Sequence, residues 1–152
     1  MARSWRSLSW REARLLIESM LLVVMAAPAI RVIPFRHVGR LASRKLRRTV
    51  ASTADRDEII RQVRWAVMAA AKRSPLRAMC IEQGLTAQLM LRRRGVDSTM
   101  FYGVAPATQD KPLSAHVWVR CGELDVLGTE LASSFALLAT FPAQAPETIS
   151  ST

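Results

Sequence analysis

The chain is poor in the residues that staple or metallate small proteins: 152 residues hold two cysteines, Cys80 and Cys121, and two histidines, His37 and His116. That excludes a disulfide-rich scaffold and a four-cysteine zinc ribbon. Acidic residues are scarce, twelve against twenty-two basic ones, for a net charge of +10 and a pI near 11.3. Aromatic side chains make up 6%, and no internal repeat or low-complexity tract occurs. Long uncharged runs are missing too. Twelve residues separate Glu18 from Arg31, whereas a membrane span needs about 20. Glu12 and Glu18 also stand where a secretory signal peptide carries positive charge or its apolar core. What is plentiful is apolar side chain, 50% of residues with a mean hydropathy of +0.11, which excludes a disordered chain. A chain of this length fits one domain and can bury about 68–70% of its unfolded surface.

The charge is unevenly placed. Residues 1–48 hold eleven basic side chains against Glu12 and Glu18, and residues 49–152 hold eleven against ten acids. The excess therefore belongs to an N-terminal stretch, residues 1–53, read as a basic, apolar-helical arm. Residues 54–142 read as a nearly neutral folded domain and 143–152 as an unstructured tail. The asymmetry points to an anionic partner, whether nucleic acid, lipid head groups or an acidic protein face, or to a solvated face that keeps an apolar helix soluble.

Within the arm, Ser9-Trp10-Arg11-Glu12 has the capping-box pattern, so the apolar run Leu15 to Ala27 is expected to be helical and to end near Pro28. Trp5 and Trp10 beside arginines suit an interfacial anchor, while Leu15, Leu16, Leu22 and Val23 suit core packing. Arg36 to Arg48 reads as a short helix or linker. Ile59, Ile60, Val63, Ala66, Val67 and Ala70 follow helical spacing and predict a helix over 55–72, with acids in its first turn. A further helix over 80–94 ends in Arg92-Arg93-Arg94-Gly95, cations followed by a glycine suited to positive φ. Strand character follows: Thr99 to Val104, then His116 to Arg120, a turn at 121–123, a return over 124–127, and an apolar segment from Phe135 to Phe141. Helices first and a small antiparallel sheet after them make an α+β domain.

One constellation carries chemistry. Cys80 stands near a helix start and His116 opens a strand 36 residues later. A cysteine near a helix N-terminus gains thiolate character from the dipole, and a histidine on an adjoining strand can act as general base and acid. A zinc site from Cys80, His116 and Cys121 lacks paired C-x-x-C spacing and a fourth ligand. A Cys80–Cys121 redox pair lacks a C-x-x-C motif. No glycine-rich loop, helix-turn-helix or aromatic RNA-binding motif supports a specific nucleic-acid site.

Four segments occur in a recognisable order: Met79-Cys80-Ile81-Glu82-Gln83-Gly84, Leu89 to Val96, Phe101-Tyr102-Gly103-Val104, and Ala115-His116-Val117-Trp118-Val119. Over about residues 74–141 the chain resembles the transglutaminase-like cysteine peptidases of lasso-peptide biosynthesis, in the stand-alone form without a leader-recognition domain. The resemblance implies a transglutaminase-like or papain-like core and removal of the leader from a ribosomally made precursor peptide. It further implies Cys80 as nucleophile, His116 as its base, and no cofactor or metal. The implied partners are the precursor leader, a separate leader-recognition protein and an ATP-dependent cyclase. The implied setting is the cytoplasm, with peripheral membrane contact of the arm left open, as is docking of its arginines on the leader–partner complex.

The family also carries a carboxylate about a dozen residues after the histidine, where this chain has Gly128. Two substitutes are available. With a three-residue turn at 121–123, Arg120 pairs with Leu124 and Gly128 falls opposite His116, which puts Glu130 within reach of it. Asp125 falls near the turn, roughly 13 Å away at strand rise. Glu130 is the preferred third member, Asp125 the alternative, and a bare Cys–His dyad the remaining reading. The competing function is a non-enzymatic basic module that docks an anionic surface.

Overall fold

A computed structural model describes residues 8–44, 52–74, 80–109 and 112–142. Trp5, Arg47, Arg48 and the tail from 143 onward lie outside those residues. Among the described residues four helices, α1 (Trp10–Val32), α2 (Phe35–Ala42), α3 (Thr53–Arg73) and α4 (Cys80–Arg93), precede β1 (Thr99–Ala105), β2 (Ser114–Cys121), β3 (Leu124–Leu127), a 3-10 segment (Thr129–Ser134) and β4 (Ala136–Phe141). The sheet is antiparallel with order β3-β2-β1-β4. The architecture is α+β, as the sequence implies.

The expected capping box closes the start of α1: the Ser9 amide donates to Glu12 Oε2 at 2.8 Å, and Ser9 Oγ accepts from the Glu12 amide at 3.3 Å. The helix then runs through Pro28 rather than stopping there. A proline removes its own N–H and crowds the carbonyl one turn back. Here both Pro28 and Val24 face outward, so water can solvate the freed carbonyl and the turn closes again with Ile33 N–H donating to Ala29 O at 2.8 Å.

The other face of α1 is core. Leu16 and Val23 pack with Ala69 and Ala70 of α3, and Leu15 joins the main cluster with Val63, Leu91 and Val117. Glu18 pairs with Arg93 and Arg94 at the end of α4. The stretch set apart as an arm is thus built into the body from Trp10 onward, because its apolar face has α3 and α4 to cover it.

Helix α4 crosses the sheet on the side of Met100, Val117 and Val119, all at most 2% exposed. Gly84 makes the contact close: a Cβ there would collide with Val117 Cγ1. The helix ends as its sequence predicts, with Gly95 at φ 77 and the Val96 amide donating to Leu91 O at 3.0 Å. A buried amide, Gln88, locks the layers together. Its Nε2 lies 3.1 Å from Ser98 O and 2.9 Å from Phe141 O, and its Oε1 accepts from Ser98 Oγ at 2.7 Å.

The β2–β3 hairpin departs from the expected register. Cys121 pairs with Leu124 and Arg120 with Asp125, so the turn is the two residues Gly122-Glu123, with Gly122 at φ 61. A positive φ at the first of two turn residues matches the twist of the strands. The ladder then shifts, pairing Val119 with Leu127 and leaving Val126 as the extra, fully buried residue of a bulge. Cys121 is consequently not a turn residue. It ends β2 on the helix-facing side at 1% exposure.

Candidate active site

The site lies where the start of α4 meets the start of β2. Cys80, the first described residue of α4, is partly exposed, and its Sγ lies 3.8 Å from the carbonyl oxygen of Ala115. That carbonyl belongs to the peptide joining Ala115 to His116. Helix and strand therefore bring the two residues singled out from the sequence to one corner of the fold. The thiol arrives from the helix side. The ring lies on the opposite face, with Trp118 and Phe135.

The imidazole is held firmly. His116 is 8% exposed, with its ring centroid 5.0 Å from that of Phe135 and 6.1 Å from that of Trp118. Trp118 stacks in turn on Phe101, 5.5 Å between centroids and 5° between planes. His116 Nε2 lies 2.7 Å from the carbonyl oxygen of Gly128. A carbonyl can only accept, so Nε2 carries the ring proton and Nδ1 keeps the basic lone pair. The backbone of residue 128 thus binds the ring, with a carbonyl dipole rather than a charge.

The two substitute carboxylates are engaged elsewhere. Glu130 stands in the 3-10 segment, its side chain 68% exposed and 3.9 Å from Arg64 of α3. Asp125 accepts from Arg120 Nε at 2.9 Å. Glu130 misses His116 because the chain leaves the strand at Gly128, φ 72, and turns before Glu130 can continue the ladder. Gly128 has little room for a side chain: a Cβ would stand 2.6 Å from Val117 O and 3.1 Å from His116 Nε2.

The second thiol has different chemistry. Burial pushes Cys121 up to about 12 from its ordinary 9.0, so it stays protonated. Among the described residues no group of three or more His, Cys, Asp or Glu side chains converges as a metal site, and Cys121 faces away from His116 across the sheet.

A profile of the transglutaminase-like superfamily matches residues 20–140. The chain belongs to the transglutaminase-like superfamily. No curated protein and no solved structure matches it. The transglutaminase-like match takes in most of α1 and all of α2, which agrees with their burial against α3 and α4. The superfamily includes cysteine peptidases, and its fold often serves cysteine-dependent hydrolases and transferases.

What the sequence missed is a main-chain atom. The Gly128 carbonyl has no side-chain signature. Phe135, read only as the head of an apolar segment, forms one wall of the imidazole.

Proposed function

We propose that the protein is a cysteine peptidase that removes the leader from a ribosomally made lasso-peptide precursor, acting with a separate leader-binding protein. The observation that carries this reading is the approach of Cys80 Sγ to the Ala115–His116 peptide, with His116 Nε2 held 2.7 Å from the Gly128 carbonyl oxygen.

In this reading the thiol leaves the Ala115 carbonyl on the helix side, turns past the start of β2 toward the ring and gives its proton to Nδ1. The sulfur attacks the scissile carbonyl, and the imidazolium then protonates the departing amine as the C–N bond breaks. Water, deprotonated by the same nitrogen, hydrolyses the thioester, releasing the leader acid and restoring the thiol. Trp118 and Phe135 keep bulk water off the Nε2–carbonyl bond, so the ring holds one tautomer through the cycle. The peptidase hands the freed core to an ATP-dependent cyclase.

The test is incubation with a candidate precursor and its leader-binding partner, followed by mass spectrometry. A leader and a core that sum to the precursor plus one water support the proposal. An intact precursor, or cleavage that persists in Cys80→Ala, ends it.

A further inference from the structure

The outward face of α1 is as apolar as its buried face. Leu15, Leu16, Ser19, Val23 and Ala27 point inward. Ile17, Leu21, Val24, Met25 and Val32 point outward, between 39% exposed at Val24 and 82% at Val32, with Trp10 at 77% near the start. At 3.6 residues per turn the outward set, with Pro28, occupies a sector of about 100° opposite the buried set. From Ile17 to Val32 the stripe is about 23 Å long at 1.5 Å per residue. A helix apolar all round is ordinarily covered all round, yet this one is covered on one side.

The charges around the stripe say what covers it. Arg11 and Arg14 stand at its start, and Arg31, Arg36 and Arg40 at its end, where α1 turns into α2. A groove between α1 and the end of α4 sets Arg11, Arg14, Arg93 and Arg94 beside Ile17 and Leu21. Its carboxylate, Glu18, is engaged by Arg93 and Arg94. Cations beside large apolar side chains, with a tryptophan at one end, match a surface whose anionic groups lie above hydrocarbon.

We infer that this face of α1 seats the protein on an anionic bilayer surface, with Ile17, Leu21 and Met25 in the acyl boundary and the flanking arginines on lipid phosphates. Although α1 is, against the sequence expectation, long and apolar enough to cross a membrane, spanning would strip Leu16 and Val23 from α3 and carry the Glu18–Arg94 pair into hydrocarbon. A second copy fits poorly, since pairing the face with itself sets arginines against arginines.

The experiment is co-sedimentation of the full chain with vesicles of phosphatidylcholine alone or mixed with phosphatidylglycerol, at low and high salt. Binding is expected to the mixed vesicles and to fall with salt. Leu21→Glu with Met25→Glu abolishes it, and Arg11→Gln with Arg14→Gln weakens it roughly tenfold or more. Both pairs are exposed, and circular dichroism checks that each variant folds. The inference is overturned if wild type stays in the supernatant, if it binds neutral vesicles equally, or if the Glu variant still sediments. It is equally overturned if sedimentation velocity shows a dimer that Leu21→Glu dissociates. No peptide substrate enters the assay, so its outcome is independent of the peptidase reading.

Discussion

Replacing Gly128 by alanine tests whether the carbonyl of this residue orients the imidazole. The substitution meets two obstacles. A φ of 72 costs a residue with a Cβ about 1–2 kcal/mol. The added methyl would also stand 2.6 Å from Val117 O, and overpacking of this kind costs about 1–3 kcal/mol. The expected loss is therefore about 2–5 kcal/mol, read by urea unfolding. Gly122→Ala supplies the control, because Gly122 has a similar φ of 61 but nothing lies within 4 Å of where its Cβ would stand. It should lose only the strain, about 1–2 kcal/mol. Relief of the clash shifts the 128 carbonyl away from Nε2. A hydrogen bond to a charged partner is worth about 1.5–3 kcal/mol against about 0.5–1.5 for a neutral one. Losing it should thus raise the barrier through the imidazolium by about 1–1.5 kcal/mol, or roughly tenfold in rate. Single-turnover cleavage and the rate of Cys80 alkylation by iodoacetamide both read this. Equal stability losses in the two alanine variants, or unchanged rates in Gly128→Ala, would refute the reasoning.

Iodoacetamide should label Cys80 and spare Cys121 in the folded protein, as peptide mapping will show; Cys80→Ala should abolish cleavage, while Cys121→Ala should keep it at a cost of about 1 kcal/mol in stability. Because burial raises Cys121 to about 12, its protonated form is the one the fold accepts. Its contribution is complete below about pH 9 and lost as pH rises toward 12, by about 1.4 kcal/mol per pH unit. Cys121→Ala should therefore show a shallower alkaline loss of stability in urea titrations than wild type. Glu130→Gln and Asp125→Asn should each leave the cleavage rate within about twofold, since Arg64 and Arg120 hold those carboxylates and exposed pairs contribute little. A tenfold loss in either would move the orienting role from backbone to side chain.

Much of the fold is legible because its signals are local. The α1 cap, the period of α3, the Arg-Arg-Arg-Gly end of α4 and the alternation of β2 each depend on neighbours in sequence. The departures arise where tertiary context decides. Pro28 is tolerated because its face of α1 is open, which a linear reading does not contain. The hairpin register differs by one residue because Gly122-Glu123 and a three-residue turn are both sensible from composition, and only the buried Val126 bulge settles which pairs form. That difference hides the burial of Cys121 and, with the unforeseen 3-10 segment, misdirects Glu130. The meeting of Cys80 with the Ala115–His116 peptide is legible as a pattern, whereas the Gly128 carbonyl on the ring requires the backbone path.

The strand order bears on synthesis. β1 is made before β2 and β3, which can zip onto one of its edges as soon as they emerge. Its other edge waits for β4, after the 3-10 segment, and the Gln88 amide waits for the Phe141 carbonyl. Without β4 the protein carries an unpaired β1 edge and lacks one of the Gln88 hydrogen bonds. Released chains truncated before β4 should therefore stay protease-sensitive, and resistance should arrive in one step as that strand is added.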